Sequence, residues 1–447
     1  MPCSRKPKAW RGTSSAWGTG STGAPTPTRS PAWSSMCTSA AGRARTSSDG
    51  TDGGARAAGP GQATGGDPLR IAVLLINFGE PAEPVLEEVT PFLERIFLQN
   101  ADLESDRSAR ARAAQLAAAR APHLVEAYRA IGGSPLDTQA RAQADALGDT
   151  LAARGMDARV EAVFQFTPPF IRDGVASARE GRADVLVGLP VYPMCGHSTT
   201  VAALDATRAA LDELDWGVPF IGVGGWHRHP GYRALRAEHI RAFVRENALD
   251  LSDPDTILYF SAHGTPVKYI LDGNRYDRYV EEHCREIAEA LGVGDRFAVG
   301  FQNHTNRRIA WTWPDNEERI ETLAERLLVV DAVSFIHEQS ETLDELDREL
   351  REAVEAMGKE MYRVPVPHDD PRFAGVLADL VGHALGQSSA EDLALAPCRC
   401  RPAPGTWCTN GARDLAPSPY IKPDSRAAPG SRPNHGSARP PTAHHPR

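Results

Sequence analysis

Thr256-Ile-Leu-Tyr-Phe-Ser-Ala262 is the stretch that decides the fold. It is short and almost wholly apolar, and it runs into His263 and the loop Gly264-Thr-Pro266. A continuous apolar run of this length, bounded by turn residues, reads as a strand buried on both faces, as in parallel sheets. A second such run, Leu327-Leu-Val-Val-Asp-Ala-Val-Ser-Phe335, leads into His337-Glu338-Gln-Ser-Glu341-Thr-Leu-Asp-Glu345. In an open parallel sheet the residues just past the strand ends line the ligand crevice, so an imidazole and a row of carboxylates should meet over one cleft. That pairing suits the handling of a divalent metal together with protons: imidazole takes borderline metals such as iron, and carboxylates supply charge and proton acceptors.

The pattern extends in both directions. Strand-like runs fall at 70–77, 157–164, 183–190, 218–223, 256–262, 296–301, 327–334 and 360–364. Helix-like runs fall near 84–98, 107–130, 137–154, 168–180, 198–214, 230–247, 275–291, 315–326, 340–357 and 372–385. Short apolar strands alternating with amphipathic helices predict an α/β chain of βαβ units. The strands divide evenly about the helix 230–247, which gives two doubly wound Rossmann-like domains with parallel sheets, 67–228 and 229–386, and a cleft between them. The second domain includes the C-terminal helix. Residues 387–415 form a cysteine-containing extension, and 1–66 and 416–447, rich in Ser, Gly, Pro and Ala, read as disordered ends.

Charge excludes one class of partner. Residues 1–66 carry a net +6 and residues 401–447 a net +5, so a total of −9 leaves −20 for the middle of the 447-residue chain. An acidic body argues against nucleic acid. No apolar run approaches the roughly 18 residues of a membrane span, which leaves only peripheral membrane contact open. Cysteine is sparse between 66 and 397, where only Cys195 and Cys284 occur, as expected in a reducing compartment. The expected location is the cytoplasm, or an organelle matrix if the Arg- and Ser-rich first segment is a transit peptide. There is no P-loop. Gly222-Val-Gly224-Gly-Trp-His227 lacks the third glycine of a dinucleotide fingerprint, which disfavours a dinucleotide oxidoreductase.

Six short motifs then occur in order: Leu75-Ile-Asn-Phe-Gly-Glu-Pro81; Tyr128-Arg-Ala-Ile-Gly-Gly-Ser-Pro135; Gly188-Leu-Pro-Val-Tyr-Pro193 with Ser198-Thr-Thr200; Phe260-Ser-Ala-His-Gly-Thr-Pro266; Phe301-Gln302 with Trp313-Pro314; and Ser340-Glu-Thr-Leu-Asp-Glu345. With these motifs, residues from about 70 to about 385 resemble the ferrochelatase family, enzymes that insert ferrous iron into a porphyrin. The resemblance implies chelatase-like domains, with Fe(II) and a porphyrin as substrates. It implies that His263 is the catalytic proton acceptor or metal ligand, and that Glu341 is the catalytic carboxylate. Glu345, four residues on, shares a helix face with Glu341 and extends a path for metal or protons. Phe78, Arg129, Ser134, Phe166, Tyr192, Ser198, Thr199 and Trp313 stand in matching segments and are the expected porphyrin contacts. Three departures occur: one glycine fewer in the Gly-Ser-Pro loop, Gln165 where Arg is common, and Gln339 where His is usual. His337 could stand in for that histidine.

Some ferrochelatases carry a [2Fe–2S] cluster on C-terminal cysteines. The resemblance implies Cys195, Cys398, Cys400 and Cys408 as its ligands here, with His197 at the customary place of the first. Four ligands are what such a cluster needs, while zinc or no metal are the open alternatives. Protoporphyrin IX and coproporphyrin III both remain open as the porphyrin. A cobalt or nickel tetrapyrrole chelatase and a porphyrin-binding protein without catalysis are the rival functions. Nothing in the chain specifies an oligomeric state.

Overall fold

Two parallel sheets with the same winding order organise the chain. A computed structural model describes residues 69–101, 109–303, 309–387, 393, 395–398, 403–410 and 418–422. The first expected terminal segment, 1–66, lies outside the described residues, as does Cys400.

In the first sheet, β1 (Ile71–Asn77) pairs in parallel with β2 (Ala158–Phe164) on one side and β3 (Val185–Pro190) on the other, and β3 pairs with β4 (Phe220–Gly224). The second sheet repeats this. Its strand β5 (Thr256–His263) lies between β6 (Phe297–Gln302) and β7 (Leu327–Ala332), and β8 (Glu360–Val364) follows β7. The order is thus second, first, third, fourth in each sheet. Both sheets belong to one compact unit. All seven residues of β1 are buried, as are all but the last of β5, which accounts for their unbroken apolar sequence.

Helices fill the connections: α1 (Leu86–Gln99), α2 (Ala109–Ile131), α3 (Leu136–Ala153), α4 (Ile171–Glu180) and α5 (Ala202–Glu213) in the first half. In the second half come α6 (Pro230–Glu246), α7 (Val267–Leu271), α8 (Tyr276–Leu291), α9 (Asn316–Glu321), α10 (Arg351–Ala356) and α11 (Pro371–Ala384). On α8 the buried residues Tyr276, Tyr279, Val280, His283, Cys284, Ile287 and Ala288 recur at the three-to-four spacing that sets one helix face on a sheet. Among the described residues no helix is long and apolar enough to cross a membrane.

The eight expected strands are all present, and the structure adds three features. The C-terminal helix α11, grouped by sequence with the second domain, buries Phe373, Val376, Leu377 and Val381 in the core of the first sheet. The extension beyond it is structured too. Thr406–Cys408 forms β10, which pairs in parallel with β4, and Ala396–Pro397 forms β9 against it. Finally, two of the expected helices begin as π-helix, at His197–Val201 and Glu341–Leu350. π-Helical turns are rare and collect at functional sites.

The Gly222–Gly225 run has a packing explanation. A Cβ on Gly222 would lie 3.1 Å from Leu204 Cδ2, and one on Gly224 3.3 Å from Thr200 Cγ2. These glycines admit α5 and β10 close to β4.

Candidate active site

The strand order of each sheet reverses between its first and third strands, β1/β3 and β5/β7, and ligands bind outside such switch points in doubly wound folds. The residues just past all four strands line a single cavity of about 930 Å³. Asn77 ends β1, and Phe78 and Glu80 follow it; Val191, Tyr192 and Met194 follow β3; Gly264 and Thr265 follow His263; and Ser334 to His337 and Gln339 to Glu341 follow β7. The faces of α1 and α2 close one wall with Phe92, Leu93, Ile96, Phe97 and Leu116. The volume is near the upper end for small-molecule sites.

His263 ends β5 and is half-buried. Its backbone N–H donates to Ser334 Oγ at 3.0 Å. Its ring Nδ1 lies 2.7 Å from the Gly264 carbonyl oxygen. A carbonyl only accepts, so Nδ1 carries the hydrogen and Nε2 the lone pair. Burial pulls the imidazole below its ordinary pKa, partly offset by the Gly264 bond, which keeps it a neutral base around pH 7.

The π-helical segment lines the same cavity. Glu341 and Glu345 both line the cavity, and so do Asp344 and Glu349. Asp344 is buried and paired with Arg348. Gln302, at the end of β6, donates to Glu345 Oε2 at 2.6 Å and to the Glu341 carbonyl at 2.8 Å. Burial, reinforced by the neighbouring Glu341 charge, raises Glu345 to about 8. Burial likewise raises Glu341, against hydrogen bonds from Ser340 and Gln339 that lower it. Gln339, the departure from the usual histidine, donates to Glu341 Oε2 at 2.9 Å.

A further buried carboxyl, Glu80, lines the same cavity. Tyr128, Ser134 and Ser340 all donate to it. Burial, with the Glu341 charge second, raises it to about 7. The Ser340 hydroxyl lies within reach of both Glu80 Oε1 and Glu341 Oε2. One hydroxyl hydrogen cannot serve two carboxylates, so the arrangement is complete when one of the two carboxyls is protonated.

Four of the expected porphyrin contacts line the cavity: Phe78, Tyr192, Ser198 and Thr199. The Tyr192 hydroxyl donates to Gln165 Oε1 at 2.7 Å, and Ser198 Oγ to Asn100 Oδ1 at 2.8 Å. Phe166 is buried behind Phe78, with ring centroids 4.6 Å apart. Ser134 does not line the cavity; it donates to Glu80 Oε2 and accepts from the Leu136 N–H at 3.2 Å. Arg129 is exposed and does not line the cavity. Trp313 also points elsewhere: it is 37% exposed, and Lys422 Nζ lies 5.9 Å from its ring centroid. Trp311, two residues earlier, lines the cavity instead.

His337 lines the cavity but is committed through Nε2 to Gln143 Oε1 at 2.8 Å, and burial takes its pKa down to about 3. Glu338 accepts from Arg363 at 3.0 Å and from the Val366 N–H at 2.7 Å, which makes it an anchor of the strand-to-helix turn. Sequence reasoning overlooked Glu80, Gln302, Trp311 and a basic edge formed by Arg112, Arg120 and His123 of α2. The signal for Glu80 and Gln302 was their position just past β1 and at the end of β6. For the α2 residues it was their recurrence along one helix face.

Among the described residues no group of three or more His, Cys, Asp or Glu side chains is placed to hold a metal ion. Three thiols nevertheless converge away from the main cavity. Cys195, Cys398 and Cys408 line a small apolar cavity of about 30 Å³ together with Thr200, Leu204 and Gly224. A donor set of sulfur alone fits an iron–sulfur cluster in kind.

The ferrochelatase family model matches residues 70–385. A ferrochelatase of Synechococcus elongatus is 34% identical over 348 residues, covering 73% of this chain and 86% of the relative. A ferrochelatase of a Nostoc species is 32% identical over 338 residues, covering 72% and 84%. Among solved structures, the sirohydrochlorin chelatase of Bacillus subtilis subspecies spizizenii in complex with cobalt matches at a TM-score of 0.39 and 11% identity, covering 71% of this chain and 98% of its own. With a family model spanning the whole run from β1 to α11 and relatives this similar over most of their own length, the chain belongs to the ferrochelatase family.

Proposed function

We propose that this enzyme inserts Fe(II) into a porphyrin, with the reaction centred between His263 and the Glu341 carboxylate. The observation that supports the reading is that both line one cavity, the imidazole at the end of one switch-point strand and the carboxylates in the segment after its neighbour. Metal insertion converts two pyrrole N–H groups and one Fe(II) into an iron porphyrin and two protons, with no change of oxidation state. The four ring nitrogens supply the lone pairs, so the protein has to remove protons and present the metal. His263 Nε2, neutral because burial lowers its pKa, can take one proton. Glu341 and Glu345, both lifted toward neutrality, can accept a proton when charged and attract the cation in that same state.

The rest of the cavity fits a flat, apolar ring with an anionic edge. Phe78, Phe92 and Tyr192 offer apolar and aromatic surface, and Arg112 and Arg120 offer guanidinium groups for carboxylates. Binding across two walls can also bend the macrocycle so that its lone pairs face the metal, a use of binding energy to favour the transition state. His263, Glu341 and Glu345 are in this reading the groups that meet the substrate iron.

The same reading gives Cys195, Cys398 and Cys408, with Cys400 as the fourth, as ligands of a [2Fe–2S] cluster. Its chemistry there would be that of a staple, fastening the C-terminal extension beside β4. The main test is anaerobic incubation of the purified enzyme with Fe(II) and, side by side, protoporphyrin IX and coproporphyrin III. Iron insertion into either supports the reading and identifies the porphyrin; insertion into neither refutes it.

A further inference from the structure

Burying a carboxyl group costs several kcal/mol unless it is well partnered. Glu80 is 4% exposed, and its partners come from three separate parts of the chain. Tyr128 of α2 donates to Oε1 at 2.9 Å. Ser134, in the turn before α3, donates to Oε2. From the other sheet's side, the Ser340 N–H donates to Oε2 at 3.3 Å and the Ser340 hydroxyl to Oε1. The Ser340 hydroxyl is also 3.0 Å from Glu341 Oε2. The approach to Glu80 is built for the purpose. Gly79 has φ +83, and a Cβ there would collide with Thr167 Oγ1 and Phe164 Cβ, so only glycine brings the chain around tightly enough. The Glu80 N–H is held by Asp137 Oδ1 at 3.2 Å, which fixes the backbone on that side.

We propose that Glu80 is a positioning residue for metal insertion: clamped by Tyr128 and Ser134 on the first half of the molecule, it holds Ser340, and through Ser340 the Glu341 carboxylate, on the second half. Ser340 opens the π-helical segment, so its position sets where that segment starts and where its first carboxylate points. Because Glu80 reaches Glu341 only through Ser340, its removal should misplace Glu341 and leave porphyrin contacts intact. The inference rests on the role given to Glu341 above.

The test measures steady-state iron insertion by the full-length enzyme and the variants Glu80→Ala, Glu80→Gln, Ser340→Ala and the double variant Glu80→Ala/Ser340→Ala. The expected result is a fall in kcat of about tenfold for Glu80→Ala and for Ser340→Ala, with KM for the porphyrin changed less than about twofold. The double variant should be no worse than the poorer single variant, because both substitutions cut one chain of contacts. If Glu80→Ala does not fold, Glu80→Gln, which keeps the volume, and Ser340→Ala carry the comparison. Unchanged kcat in the folded variants, a loss confined to KM, or multiplicative losses in the double variant would each overturn the proposal while the wild-type enzyme remains a ferrochelatase. A wild-type enzyme that inserts no iron would refute the function itself, and this role with it.

Discussion

Arg236→Met is the substitution whose cost can be worked out most directly. Arg236, on α6, and Asp331, on β7, have side chains 1% and 2% exposed. Arg236 Nη2 contacts both Asp331 oxygens at 2.6 Å, while Nη1 donates to the Phe335 carbonyl at 3.1 Å and Nη2 to the Ala332 carbonyl at 3.2 Å. Removing the guanidinium leaves a carboxylate and two carbonyls buried without their partner. Breaking a buried pair from one side costs about 3–5 kcal/mol, whereas replacing both partners by apolar groups is often neutral or better. Arg236→Met should therefore lose about 3–5 kcal/mol in urea unfolding at an unchanged m-value, and Arg236→Met/Asp331→Leu should recover most of it. The Ala332 and Phe335 carbonyls lead into Ser334, which holds the His263 backbone, so the folded fraction of the single variant should also turn over more slowly. A single-variant loss below about 1 kcal/mol, or a double variant as unstable as the single, would contradict the reasoning.

Other outcomes follow from the site. Glu341→Gln should lower kcat about a hundredfold or more and Glu345→Gln about tenfold or less, read from initial rates of iron insertion; equal small losses would make the carboxylate row a solvated face. Glu345 is raised to about 8 with the Glu341 charge among the causes, so each carboxylate makes the other harder to ionise. Glu345→Gln should therefore move the acid limb of the kcat–pH profile to lower pH, and an unmoved limb would show the two to be uncoupled. Protein purified without oxygen should be coloured before porphyrin is added and contain inorganic sulfide, and Cys408→Ser should bleach it. Bound zinc without sulfide would favour the zinc alternative.

The sheets were legible because buried parallel strands are continuous apolar runs, and β1, β3, β5 and β7 are such runs. The site was legible as far as it follows from strand ends: His263 and the carboxylates after β7 lie where the switch-point rule places them. The remainder depends on contacts that leave no local pattern. Strands of two or three residues, as in β9 and β10, have no period to read. Leu343, Leu346 and Leu350 recur at the three- and four-residue spacing of an α-helix, so the sequence of 341–350 looks like ordinary helix. Nothing in the Trp313-Pro314 motif reveals that the C-terminal segment packs there, where the Trp313 backbone N–H donates to the Tyr420 carbonyl at 2.9 Å. Glu80 reads as one letter of a motif. Its burial becomes visible only when Tyr128, Ser134 and Ser340 meet around it.

The central claim is that His263 removes a pyrrole proton during metal insertion. The most direct measurement pairs His263→Ala with the wild-type enzyme, following porphyrin binding by its absorption shift and iron insertion under anaerobic conditions in the same preparation. The account requires porphyrin affinity within a few-fold of wild type, with insertion reduced by about a hundredfold or more, the scale of a lost general base. A folded His263→Ala enzyme that binds porphyrin and inserts iron at a near-normal rate would contradict it.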